Sequence, residues 1–202
     1  MCIRDRSNVT DVLSATNIVV ELMNLTVKVW VTLKPLEIPK VEPIIPKVPV
    51  RPDALRILVI EDTPKHQTSA KAGLAGHKLT VATGYEEAMK ILESEKFDVV
   101  LTDLQMPMSS RTLNSKAFKL GQLVPYGLLL KDEAAHQGAK YVAVVTDLGH
   151  HDDWVSAAFD HFGYSVKIDG AKVVMMHSPM KQDESGEWVK DWAEALKRLV
   201  KD

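Results

Sequence analysis

From Leu55 onward the chain alternates short apolar runs with amphipathic stretches. "LRILVIED" is a β-branched run that predicts a strand buried on both faces. Thr63 can cap a following helix with Pro64 at its first position; the helix runs to about Leu74, and Gly76 can close it. "HKLTVAT" is the next strand. "GYEEAMKILESEK" places Ala88, Ile91 and Leu92 on one helical face. "FDVVLTD" is the third strand, and Met108 to about Gly121 has no clear period. "VPYGLLLKDEAAHQG" can be helical despite Gly127, "KYVAVVTD" is the fourth strand, and Trp154–Phe162 is a short helix. "YSVKIDGAKVVMMH" reads as a hairpin about Asp169-Gly170. Trp188, Trp192, Leu196 and Leu199 mark a C-terminal amphipathic helix.

Before Leu55 the pattern differs. Val27, Val29, Val31 and Leu33 alternate with polar positions, as a strand would. Prolines at 35, 39, 43, 46, 49 and 52 then exclude a helix or central strand and predict an extended spacer. The chain therefore divides into an N-terminal extension (1–35), a Pro-rich linker (36–53) and a domain (54–202). Its opening "MCIRDR" resembles translated sequencing-adapter read-through, and no structural expectation is placed on it.

Composition narrows the class. Hydrophobic residues are 46 % and charged residues 26 %, as in soluble globular chains. A net charge of −2 gives no footprint for nucleic acid. The single cysteine, Cys2, excludes an internal disulfide framework. There is no apolar run of about 18 residues for a membrane span and no signal-peptide pattern, so a cytoplasmic location is expected.

Five β-α units in succession predict a doubly wound α/β domain. Ligands in such sheets bind beyond the carboxyl ends of the strands. Strand one ends in Glu61-Asp62, strand three in Asp103, and strand four in Thr146-Asp147. Carboxylates gathered on one edge repel unless a cation joins them, and oxygen ligands of this kind suit Mg²⁺. Asp103 can then serve as a nucleophile that forms an acyl phosphate, with a strand-four hydroxyl bonding the new phosphoryl oxygens. The plainer reading of Asp103 alone is a strand-end carboxylate bound to backbone N–H groups. "GHHDD" (149–153) gathers metal-capable types, though neighbours in sequence point different ways and an Asp there can cap a helix.

"ILVIED", "FDVVLTDLQMP" and "VAVVTD" together resemble strands one, three and four of response-regulator receiver domains of the CheY-like family. The resemblance spans Leu55–Asp202, loosely after Met108. It implies a flavodoxin-like, five-stranded parallel sheet with helices on both faces. It implies Mg²⁺ held by Glu61, Asp62, Asp103 and the Gln105 backbone carbonyl, with Asp103 as phosphoacceptor and Thr146 as switch hydroxyl. Implied partners are a histidine kinase or phosphotransfer protein and a downstream protein, with no chemistry beyond self-phosphorylation and dephosphorylation.

The departures are specific. Receivers place a lysine before a proline at the end of strand five, where this chain has His177-Ser178-Pro179. Lys181 is the nearby substitute. Met175 stands where an aromatic is expected, and Asp147 where a small residue is favoured. His177 is a candidate phosphoryl or proton contact. Three readings follow in order: a phosphorelay receiver, a phosphorylation-independent pseudo-receiver that binds proteins, and a metal-dependent phosphohydrolase. The last lacks a second acid two residues after Asp103, where Gln105 stands.

Overall fold

The computed structural model describes residues 53–109, 122–149, 155, 157 and 165–201. The extension, nearly all of the linker, His150–Asp153, most of the helix expected over Trp154–Phe162 and residues 110–121 lie outside them.

The first half unfolds as β1 (Arg56–Ile60), α1 (Pro64–Gly73), β2 (Lys78–Ala82), α2 (Tyr85–Ser94) and β3 (Val99–Thr102). A short antiparallel pair, β4 (Met106–Pro107) and β5 (Leu123–Val124), precedes α3 (Gly127–His136) and β6 (Tyr141–Thr146). Then come β7 (Val166–Ile168), β8 (Ala171–His177), β9 (Met180–Gln182), β10 (Trp188–Lys190) and α4 (Trp192–Val200).

The sheet order is β2-β1-β3-β6-β8-β7. Five strands are parallel, as expected, and β7 adds a sixth, antiparallel at the edge. The extra strand is the first arm of the hairpin turned by Asp169 (φ 49°) and Gly170 (φ 87°). Both residues of that tight turn need positive φ, which explains the Asp-Gly pair.

Side-chain alternation builds two apolar layers from the same strands. Leu58, Ile60, Val100 and Val142 pack against Ala88 and Leu92 of α2 and Leu130 and Ala134 of α3. Ile57, Val59, Val99, Leu101, Ala143 and Val145 face Ala70 of α1 and Trp192, Ala195 and Leu199 of α4. Each large side chain so buried contributes about 1.5–3 kcal/mol.

Two local expectations are corrected. α1 ends at Leu74, whose N–H bonds to the Ala70 carbonyl, and Gly76 takes no left-handed conformation. Trp188 is not on the C-terminal helix. It lies in β10 and is 58 % exposed, because Asp191 starts the helix by accepting from the Glu194 N–H at 3.2 Å. The spacing from Trp188 to Trp192 mimics one helical turn, yet a strand end and a cap lie between them.

Candidate functional site

Strand register carries the acids to one edge. Asp103 N–H donates to the Ile60 carbonyl at 2.8 Å and Glu61 N–H to the Ala82 carbonyl at 3.0 Å, so both residues follow their strands directly. β2 lies on one side of β1 and β3 on the other. The chain thus reverses its winding direction between β1 and β3, the place where doubly wound sheets open a crevice. Glu61, Asp62 and Asp103 offer oxygens within 4.8 Å of one another there.

A cavity of about 130 Å³ opens at this point, lined by Asp62, Thr63, Asp103, Gln105, Leu123, Thr146, Asp147 and Leu148. A wider groove of about 430 Å³, running past Tyr85, Leu129 and Asp169, shares none of these residues. Of the residues expected at the site, Asp62, Asp103, Gln105 and Thr146 line the cavity, and Glu61 lies wholly buried beside it.

The finding that sequence reasoning missed is Lys190. Its side chain is 1 % exposed, with Nζ 2.9 Å from Asp103 Oδ1, 2.9 Å from Glu61 Oε2 and 3.7 Å from Asp147 Oδ1. The expectation of Lys181 as the substitute cation is therefore corrected. Ser178 does follow β8, but its N–H extends the ladder to the Thr146 carbonyl and its hydroxyl donates to the Pro179 carbonyl. The cation comes instead from β10, after an added hairpin. Lys181 does not reach in; it pairs with Asp191 at 3.5 Å. His177 is exposed and does not line the cavity. The one local signal for Lys190 is a lysine between Val189 and Trp192, both of which are buried.

Hydrogen bonds fix the carboxylates. Glu61 Oε1 accepts from the Thr63 N–H at 3.0 Å while Oε2 accepts from Lys190. Asp103 Oδ1 accepts from the Leu104 N–H at 2.7 Å as well as from Lys190. Thr146 Oγ1 accepts from the Leu148 N–H at 3.2 Å. Among the described residues every buried side-chain polar atom has a partner.

Three carboxylates, Glu61, Asp103 and Asp147, thus stand around one ammonium, and a fourth, Asp62, adjoins Glu61 and Asp103. Burial, with Glu61 acting the same way, pushes the Asp103 carboxyl up to about 7 against the pull of Lys190. Burial and Glu61 also raise Asp62. Asp147 is held well below the usual carboxylate range, first by the His66 ring and then by Lys190. Burial alone would depress Lys190, but Asp103, Glu61 and Asp147 together raise it. The excess of negative charge and the half-buried carboxylate of Asp62, which lines the cavity, form a hard-oxygen donor set that fits a divalent cation.

The backbone around the site is tightly packed. The Gly127 N–H donates to the Leu104 carbonyl at 3.0 Å, and a Cβ on Gly127 would lie 2.2 Å from the Asp103 carbonyl oxygen. Only glycine lets α3 start against that loop. Met175, in place of the expected aromatic, packs with Leu104, Val144 and Val155.

No family model matches the chain, and no curated protein matches it. Solved structures do. Two of them are response-regulator proteins. One is the response regulator receiver domain protein (CheY-like) of Methanospirillum hungatei JF-1, 20 % identical with a TM-score of 0.43, covering 72 % of this chain and 92 % of that one. Another is a response regulator protein of Burkholderia pseudomallei, carrying a phosphorylated aspartic acid, a calcium ion and citrate. It is 20 % identical with a TM-score of 0.41, over 72 % of this chain and 65 % of that one.

Proposed function

We propose that this chain is a receiver-like signalling protein that accepts a phosphoryl group on Asp103. The observation that carries the reading is Lys190 Nζ at 2.9 Å from Asp103 Oδ1, beside an acidic cavity at the sheet's reversal point. A buried lysine brought from so far along the chain to a strand-end aspartate is a poor stabiliser of a fold. It is well placed to stabilise charge that arrives with a phosphoryl group.

Both described hydrogen bonds to Asp103 fall on Oδ1, so Oδ2 is the attacking oxygen. It forms a P–O bond as the donor's P–N or P–O bond breaks, and the leaving group departs with the electron pair. Lys190 then exchanges part of its bond to Asp103 for one to a phosphoryl oxygen. Thr146 turns its hydroxyl to another. Asp62, Asp103 and the Gln105 carbonyl would hold Mg²⁺, and Glu61, whose oxygens already accept one bond each, adds charge and a remaining lone pair. The ion supplies charge neutralisation for the transferred group. The phosphoryl donor would be a histidine kinase or phosphotransfer protein, and output would pass through protein contacts.

The test is intact mass after incubation with Mg²⁺ and acetyl phosphate. A labile single phosphate is expected, absent in Asp103→Asn. A second reading, the pseudo-receiver, draws on the same lysine: Lys190 already satisfies Asp103 and Glu61, so the pocket is stable without phosphate. Mg²⁺ binding with no adduct would decide for it. A cavity of about 130 Å³ with Gln105 in its lining disfavours a phosphohydrolase of bulky esters.

A further inference from the structure

His66 is a buried imidazole, 4 % exposed, that the phosphoryl-transfer scheme does not use. It sits on α1, one turn beyond the acidic pair. Its Nδ1 accepts from the backbone N–H of Lys190 at 3.2 Å. Nδ1 is therefore unprotonated, and the ring proton is on Nε2. Nε2 lies 3.8 Å from Asp147 Oδ2. The His66 carbonyl accepts from Trp192 Nε1 at 3.0 Å, and one turn later Ser69 Oγ donates to the Lys190 carbonyl at 2.7 Å. Both backbone polar groups of Lys190 are thus held by side chains of α1.

The arrangement answers a geometric need. A lysine at the end of a central strand is aimed by the sheet ladder. Lys190 lies outside the central ladder: among the described residues β10 pairs with β9, and that hairpin is tied to the main sheet at its base, where the Asp191 N–H bonds the Pro179 carbonyl and the Ser178 N–H bonds the Thr146 carbonyl. A four-carbon stem leaving a two-stranded hairpin points at the cavity only if the hairpin is fixed to something rigid. α1 fixes the Lys190 end of the hairpin, and the groups about the His66 ring are the Lys190 amide, the Asp147 carboxylate and, through its charge, Asp62.

We infer that His66 is a positioning residue: its Nδ1 fixes the Lys190 backbone, and with it the ammonium, at Asp103. Resting on the receiver reading above, this assigns the specific role of aiming the cation to an imidazole on the first helix. It also explains how a chain with Ser178 at the end of β8 keeps a cation in the pocket.

The test uses the full chain with Mg²⁺ and acetyl phosphate, following the rate of Asp103 labelling by intact mass. His66→Leu is expected to slow labelling roughly ten- to hundredfold, the range a misplacement of about 1 Å produces. His66→Asn, whose side-chain oxygen can stand where Nδ1 stood, is expected to restore most of the rate. His66→Gln, whose acceptor stands nearer the Nε2 position, is not. In a Lys190→Met background His66→Leu is expected to add no further loss. Should His66→Leu not fold, the Asn and Gln pair decides alone.

A second readout is independent of phosphorylation: the ¹H–¹⁵N signal of the buried Lys190 ammonium, expected in wild type and His66→Asn and lost in His66→Gln. If wild type is unlabelled but this signal follows the same pattern, the receiver reading falls and the positioning role stands. Labelling and signal unchanged in His66→Gln, or losses that add fully to those of Lys190→Met, would overturn the positioning role.

Discussion

Lys190 offsets part of the charge of Asp103 and Glu61, which are buried beside it, and of Asp147, which is partly open to solvent. Removing one partner of a buried pair costs about 3–5 kcal/mol, because the others stay buried and unpaired. Lys190→Met is accordingly expected to lower stability in urea by that order at pH 8, and by less at pH 5, where Asp103 can bind a proton. Equal losses at both pH values would contradict this account. The wild-type protein has a pH dependence of its own. The Asp103 carboxyl rises in the folded state from its ordinary 3.8 to about 7. Folded protein therefore holds a proton that unfolded chain releases between those values, and stability falls as pH rises through that window. At about 1.36 kcal/mol per pH unit the fall is bounded at about 4 kcal/mol. Asp62 acts in the same sense. Asp147 acts oppositely: its lowered value stabilises above about pH 4 and is lost only in stronger acid. The urea midpoint of apo protein is expected to drop from pH 5 to pH 8, and to drop less in Asp103→Asn. At this scale the sequence pointed to Asp62, Asp103 and Thr146 as strand-end residues, because a buried strand announces its own end, and all three line the cavity. It concealed Lys190, which lies 129 positions from Glu61 and reaches it only through tertiary docking.

Helix and strand identities follow from burial pattern wherever an element is packed on a full layer. β1, β3 and β6 read as continuous apolar runs because helices cover both faces. The β9–β10 hairpin has no such run. Its legible part is its turn, where Asp183 Oδ1 accepts from Ser185 and Glu187 N–H groups and Gly186 takes φ 86°. The start of α3 is likewise set by a contact rather than a propensity. Gly127→Ala would force a methyl into the Asp103 carbonyl oxygen. A cost of about 1–3 kcal/mol is expected from overpacking of this kind, together with weaker Mg²⁺ binding as the Asp103 loop shifts. Calorimetry showing wild-type affinity in a destabilised Gly127→Ala would uncouple the two. For α4, Asp191→Ala removes the cap on the Glu194 N–H and the partner of Lys181, with an expected loss of about 1 kcal/mol.

For the domain as a whole, the five parallel strands β2-β1-β3-β6-β8 match the expected five-stranded parallel sheet, and the sixth strand is an antiparallel edge addition. Among the described residues no helix is long and apolar enough to cross a membrane. A cation that binds only the folded domain raises its stability by mass action, about 2.7 kcal/mol at 100 times the dissociation constant. Mg²⁺ is therefore expected to raise the Tm of wild type at pH 8 and to do so little in Asp62→Ala. An equal rise in both would place the ion elsewhere.

The late position of the lysine hairpin also bears on the order of assembly. Chains are made from the amino end, and a domain's early strands can collapse before its last segments exist. By the time β6 and Asp147 have emerged, Glu61, Asp62, Asp103 and Asp147 are all present, and Lys190, the ammonium that faces three of them, is still to be synthesised. A nascent intermediate of this kind would repel itself at the future crevice and remain open there while the rest of the sheet closes. The arrival of β10 would then act as the closing step, so that a ribosome stalled short of Lys190 would hold a sheet with a mouth that only dissolved cations could quiet.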